Sequence, residues 1–396
     1  MRRTTRAHRS RTRATALLAI ALAASLGLAG CQTGGDPKAS SGQEKIELPP
    51  LSSLTPIANP RTVEGPATAV IGGPSLPPLT AKAEAKLPVT VTSHDPGGDR
   101  RVEVKDTSRV IALSLTGTVA ELVSAYGLTD RLVGRDVSTK LPGTEDLPVV
   151  TKSGHTIDAE SVLALNPTLI LTDGSIGPTD VVLQLRDAGI TVVTVTRSTD
   201  PKSTDTAAKE IAAALGVAPL GDELTAQLDA AIAAKEEEIR PLVPKDPAKR
   251  PRVAFLYLRG TAGVFYLFGE GSGADSLIQG IGAVDVAKEI GWVGEKPMTS
   301  EALIASDPDV LLVMTGGLKS VKGVDGLLAA QPSIALTQAG KHRRIIDVDD
   351  TLVFAGGLGT PTCSTASRAR STPTDPPGRR PRIPTRNLAG TTCTLC

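Results

Sequence analysis

The sequence predicts an α/β protein of two lobes, each with a mainly parallel central sheet flanked by helices, joined by one long helix. Three observations carry this. Short apolar runs such as residues 109–113 (RVIAL), 169–172 (LILT) and 192–195 alternate with helical patterns, the order that parallel strands with helical crossovers require. The two halves echo each other: residues 160–171 (ESVLALNPTLIL) match 301–312 (EALIASDPDVLL) at a constant offset of 141, with Pro167 against Pro308, and RVIAL at 109 matches RVAFL at 252. At 396 residues the chain is also about two and a half times a usual domain of roughly 150 residues.

The elements follow in order. Residues 1–30 open with Arg2, Arg3, Arg6, Arg9, Arg11 and Arg13 and then run apolar from Ala14 to Gly30, the charged and hydrophobic regions of an export signal. Leu28-Ala29-Gly30-Cys31 resembles the lipobox of bacterial lipoproteins, which implies that Cys31 is lipidated and that the protein sits at the cell membrane on its extracytoplasmic face. Residues 31–105 are rich in Pro, Gly, Ser and Thr and read as a flexible tether with a short strand near 87–91. The N-terminal α/β lobe is expected over 106–216, with strands at 109–113, 133–134, 169–172 and 192–195 and helices at 117–126 and from about Asp158. Leu224, Leu228, Ile232 and Ile239 form an apolar stripe on an Ala, Glu and Lys-rich segment, so one long helix over 220–242 links the lobes within 217–248. The C-terminal α/β lobe is expected over 249–358.

The tail, 359–396, does not fit a lobe. From residue 361 it carries six Pro, six Arg and eight Thr in 36 residues, which buries too little apolar surface for order. Cys393-Thr-Leu-Cys396 lacks a second pair or a nearby His for zinc. The expectation is a reading-frame change between about 356 and 361 that replaced a closing amphipathic helix.

The formal charge of +1 conceals a segregation. Residues 1–31 hold six Arg and no acid and residues 361–396 six Arg and one Asp, which leaves −10 for 32–360. An acidic body without a basic, aromatic-studded stripe excludes a nucleic-acid binder. No cysteine occurs in 32–360, so neither a disulfide framework nor a cysteine nucleophile is available there. No Ser/His/Asp order, HExxH or nucleophile elbow appears, and no enzyme is expected.

A lipoprotein with two echoing α/β lobes on one helix resembles the substrate-binding proteins of bacterial ABC importers, in the class that carries vitamin B12, siderophores and haem. The resemblance covers about residues 108–354 and implies a ligand between the lobes. Within it, His155 stands in a Gly-preceded loop (TKSGHTID) before a helix, at the cleft rim. Tyr257 follows the strand that opens the second lobe, and Arg259, two residues on, shares its face in extended chain. Phe255, Tyr257, Phe265, Tyr266 and Phe268 place five of the eight aromatic residues within fourteen positions, which reads either as a hairpin core plug or as a flat apolar wall for a planar ligand. An imidazole and a phenol, one from each lobe, suit the two axial positions of ferric haem. Coordination removes the phenol proton near neutral pH even though a free tyrosine titrates near about 10. A neighbouring guanidinium favours the phenolate or pairs with a propionate.

The Gly-His loop together with Tyr-x-Arg is similar to the haem-binding lipoproteins of haemin importers. That resemblance implies His155 and Tyr257 as iron ligands, Arg259 as support for Tyr257, ferric haem as the transported ligand in iron uptake, and a permease dimer with its ATPase as partner. It further implies that Glu160 and Glu301, equivalent in the echo, pair with permease arginines, although acids in a first helical turn are also favoured by the helix dipole. Met298, on the second-lobe counterpart of the His155 loop, reads chiefly as a packing residue, being soft for Fe(III). Residues 269–276 are glycine-rich before a helix but lack a Walker lysine. The chain is expected to act as a monomer. The same scaffold carrying a corrinoid or an iron siderophore, and a surface lipoprotein without transport, are the competing expectations.

Overall fold

The computed structural model describes residues 50–69, 78–81, 84–152, 154–260 and 263–350. The signal segment, Cys31, and the tail with its expected frame change lie outside the described residues. In chain order the strands are β1 (Ala67–Thr68), β2 (Val89–Asp95), β3 (Gly98–Val104), β4 (Val110–Leu113), β5 (Leu132–Arg135), β6 (Thr151–Lys152), β7 (Thr156–Ile157), β8 (Leu169–Thr172) and β9 (Thr191–Thr194). They continue with β10 (Arg252–Arg259), β11 (Val264–Phe268), β12 (Val284–Asp285), β13 (Glu295–Pro297), β14 (Val310–Met314) and β15 (Ile345–Val348).

In the N-terminal lobe β5, β4, β8 and β9 pair in that order, all parallel. Every residue of β4 and β8 is buried, which is why both read as continuous apolar runs rather than alternations: helices cover both faces of a parallel sheet. Val119, Leu122 and Val123 of helix Thr118–Ala125 join Ala208 and Ile211 of helix Pro201–Ala214 in one core layer. Val162 of helix Ala159–Ala164 and Leu185 of helix Thr179–Asp187 form the other. In the C-terminal lobe the sheet order is β1-β15-β14-β10-β11-β13, with β12 also on β10. Its centre is parallel, and β11 and β13 form an antiparallel flank.

The linking helix spans Pro219–Ile239, with Leu224 and Leu228 in the first-lobe core. It ends earlier than residue 242 because Pro241 has no N–H to continue the ladder, and Arg240–Leu242 tightens into a 3-10 turn.

The echo is structural. Glu160 and Glu301 are the second residues of helices Ala159–Ala164 and Ser300–Ser306. Val162 and Leu303, equivalent in the echo, are both fully buried. Asn166 and Asp307 both adopt positive φ, 44° and 36°, ending each helix before the proline that cannot continue it.

The tether expectation for 31–105 is corrected within the described residues. Strands β2 and β3 form a hairpin whose Val91, Val102 and Val104 enter the first-lobe core. Strand β1 adds to the second sheet beside β15, and Arg61 pairs with buried Asp309 at 2.8 Å while donating to the Ala248 carbonyl at 3.0 Å. Leu51 packs on Ile239 and Leu242. The hairpin had a signal: period-two alternation on either side of Asp95-Pro-Gly-Gly98, with Gly98 at φ +110°.

Candidate ligand site

Both halves of the expected site lie at the carboxyl edges of parallel strands, where ligands of open α/β sheets sit. In the first lobe β8 ends at Thr172, and the loop that follows supports the histidine. Gly177 accepts from Ile157 N at 2.7 Å and bridges to Thr156, hanging the β6–β7 hairpin on that edge. Val150 and Ile157, both buried, anchor it from below. Gly154, at φ +88°, turns the hairpin, a conformation that costs a side-chain-bearing residue roughly 1–2 kcal/mol. His155 follows in the turn, half-buried. Its Nδ1 is buried without a hydrogen-bond partner, a burial that costs about 1–3 kcal/mol.

In the second lobe Tyr257 and Arg259 stand inside β10, not after it. The strand runs on through Arg259 because β11 pairs with its final five residues, Tyr257 opposite Tyr266. The parallel partner β14 pairs only as far as Leu256, so Tyr257 lies at the parallel edge. Alternation puts Phe255, Tyr257 and Arg259 on one face. Phe255 is fully buried, Tyr257 half-buried and Arg259 exposed, so the face grades from core to solvent. The Tyr257 ring stacks on Phe268 at 5.8 Å and 25°, and Phe268 meets Phe255 at 5.4 Å and 52°. Phe255 is the fully buried member of the cluster, and Phe268 and Tyr257 both stand half-buried against that core. Gly269 permits this closure, because a Cβ there would stand 2.1 Å from the Trp292 carbonyl oxygen. Trp292 Nε1 donates to the Leu267 carbonyl at 3.0 Å.

No hydrogen bond joins His155 to Tyr257 or Arg259; the two donors stand on separate sheets. The lobes touch at Arg197, three residues beyond β9, whose guanidinium lies 3.9 Å from Glu295 on β13. Glu295 is in register with Phe268, so this pair ties the first lobe's strand ends to the aromatic hairpin of the second. Sequence reasoning missed it, since nothing in a lone Arg or Glu marks a partner about a hundred residues away. Beside Arg197, burial pushes the Asp173 carboxyl up despite hydrogen bonds from Ser175.

Of the other candidates, Met298 is buried in the second core. The 269–276 loop spends its amides internally: Gly271 and Gly273 N both donate to the Asp275 carboxylate at 3.0 Å, so no phosphate cradle is open. Glu160 and Glu301 are exposed, without an ion pair among the described residues. His342 pairs with Glu64. His94, expected in the tether, lies on β2 between Asp99 at 2.8 Å and Glu210 at 3.0 Å, and these bonds raise its pKa. Among the described residues no helix is long and apolar enough to cross a membrane.

Known proteins resemble this chain in fold or in sequence. A crystal structure of the haem-binding protein HmuT superposes with a TM-score of 0.69 at 37% identity, covering 77% of this chain and 96% of that one. The periplasmic haem-binding protein RhuT of Roseiflexus sp. RS-1 matches with a TM-score of 0.57 at 35% identity, covering 65% and 96%. In sequence, YvrC of Bacillus subtilis (strain 168), an ABC transporter substrate-binding lipoprotein, is 28% identical over 70% of this chain and 84% of its own. A cobalamin-binding protein of Halobacterium salinarum is 26% identical over 67% and 69%. The periplasmic binding protein family matches residues 113–352, and with two sheet lobes that touch at Arg197 and Glu295, the chain belongs to that family.

Proposed function

We propose that this protein is the extracytoplasmic haem-binding subunit of an ABC importer. It takes up ferric haem between its lobes with His155 and Tyr257 as axial ligands and Arg259 beside the phenol oxygen, and it hands haem to a permease dimer coupled to an ATPase. Glu160 and Glu301 are the docking carboxylates, and Cys31 carries the lipid anchor that holds the protein at the outer face of the cell membrane. The observation that carries this reading is the graded face of β10, which presents a phenol and, two positions on, an exposed guanidinium at the sheet's carboxyl edge. Solved forms of HmuT include variants in which a tyrosine, the arginine two positions after it, or a histidine is replaced by alanine, the same residue types in the same Tyr-x-Arg spacing.

The chemistry of the donors supports the assignment. Fe(III) is hard and accepts phenolate oxygen and imidazole nitrogen, and the Arg259 cation stabilises the anionic phenolate over the phenol. The aromatic floor of Phe268 and Tyr257 offers apolar area to a porphyrin. Titrating the purified protein with haemin is expected to give a saturable Soret band that Tyr257→Ala shifts or abolishes. A titration that never saturates would overturn the reading. The Halobacterium relative named for cobalamin supports a second reading, a corrinoid on the same scaffold; saturable binding of cyanocobalamin with none of haemin would select it.

A further inference from the structure

Resting on the importer reading, we propose that the docking surface is a pair of two-residue patches, Glu160 with Leu163 and Glu301 with Ile304. In each, the aliphatic side chain seats in an apolar recess of the permease beside the cation that meets the carboxylate. Leu163 and Ile304 lie one turn after their glutamates, so each pair shares a helix face. Both are large apolar side chains left in water, 43% and 40% exposed, while Val162 and Leu303, their neighbours one position earlier, are fully buried. Exposure therefore reflects the position and not a loose helix.

Their equivalence is what makes them informative. Single exposed aliphatics are ordinary, but these two occupy matching places of the echo, at the offset of 141 that relates the lobes. A surface that repeats an acid and an aliphatic on two lobes fits a partner that presents one complementary patch twice, and a two-fold permease dimer does so. The exposed carboxylates suit cations on that partner, and an aliphatic beside each excludes water from the ion pair and strengthens it.

The test uses the cognate permease–ATPase complex in proteoliposomes, measuring haemin-dependent ATP hydrolysis against concentration of the binding protein. Leu163→Asp and Ile304→Asp are each expected to raise the half-maximal concentration by about tenfold and the double variant by more, with the haemin titration unchanged. Leu336→Asp, at an aliphatic 58% exposed outside the echo, should change nothing. If an Asp variant loses haemin binding, Leu163→Gln and Ile304→Gln make the same measurement. Full activity of the aliphatic variants alongside impaired Glu160→Ala and Glu301→Ala overturns this proposal alone. Full activity of all four also overturns the docking carboxylates, and an absent haemin titration in the parent protein overturns the importer reading. A dimer of the parent protein that Leu163→Asp or Ile304→Asp dissolves would assign the patches to self-association instead.

Discussion

His155 and Tyr257 reach the carboxyl edges of their sheets by different routes. The histidine rides on a turn between two-residue strands, held by Val150 and Ile157 beneath and by hydrogen bonds from Ile157 N to Gly177 and from Val137 N to the Thr151 hydroxyl. The tyrosine is built into an eight-residue strand, paired along its length and stacked on Phe268. One donor is fixed by the sheet itself, and the other is hung from it. On the function proposed above, the difference teaches that a two-lobed site would combine a preorganised ligand with an adaptable one, the second lobe setting position and the first adjusting to the cargo.

The largest effect should come from cutting the fixed side. Phe255→Ala removes a fully buried ring that supports Phe268 and is expected to destabilise the protein by about 3–5 kcal/mol. Ile157→Ala, under the histidine turn, should cost only about 2 kcal/mol, because a hairpin of two-residue strands relaxes around the gap. Denaturant unfolding measures both, and equal costs would break the comparison. The ligands should rank the same way: Tyr257→Ala is expected to weaken haemin affinity on the order of a hundredfold, near 2.7 kcal/mol, against roughly tenfold for His155→Ala. A reversed order in spectroscopic titration would make the hairpin the principal anchor.

Much of this was legible in the sequence because its signals are local. Asn166-Pro and Asp307-Pro stop helices and precede buried runs, which exposes the duplication. Period and composition place β4, β8, β10 and β14, and a glycine before His155 marks a turn. What stayed hidden depends on pairing across distance. Strand β1 is two residues long and exists because β15 accepts it, and the clamp of Arg61 on Asp309 spans a separation no periodicity reports. Tyr257 was expected beyond its strand because the apolar run RVAFL ends at Leu256; the antiparallel β11 extends the strand through Arg259, a pairing that the aromatic run offered only as one of two readings.

A smaller effect isolates the turn. Gly154 needs its positive φ and not its space, since a Cβ would meet nothing within 4 Å. Gly154→Ala should therefore cost about 1–2 kcal/mol, felt at the hairpin and not in the second lobe. Haemin titration would show a Soret maximum moved toward that of His155→Ala. A spectrum moved toward that of Tyr257→Ala instead would show that the two halves are mechanically one.

A last effect concerns buried charge, which also differs between lobes. In the second lobe the buried cation Arg344 is pulled down to about 10 by desolvation, and so stays charged across the neutral range. In the first, Glu121 of helix Thr118–Ala125 reaches the surface in part, yet burial of its carboxyl pushes it up to about 7 from 4.5. An acid whose folded pKa lies above its unfolded one binds its proton more tightly when folded. Its contribution to stability is therefore full below about pH 4.5 and is lost as pH rises through 7. Glu121→Gln, which stays neutral, removes that loss. The melting temperatures of parent and variant should change with pH in parallel below about pH 4.5 and diverge up to pH 8 in the variant's favour. A difference that stays constant from pH 4 to 8 would mean that the carboxylate is solvated after all, and that the first lobe's pH response lies with other groups, such as His94 between its two carboxylates.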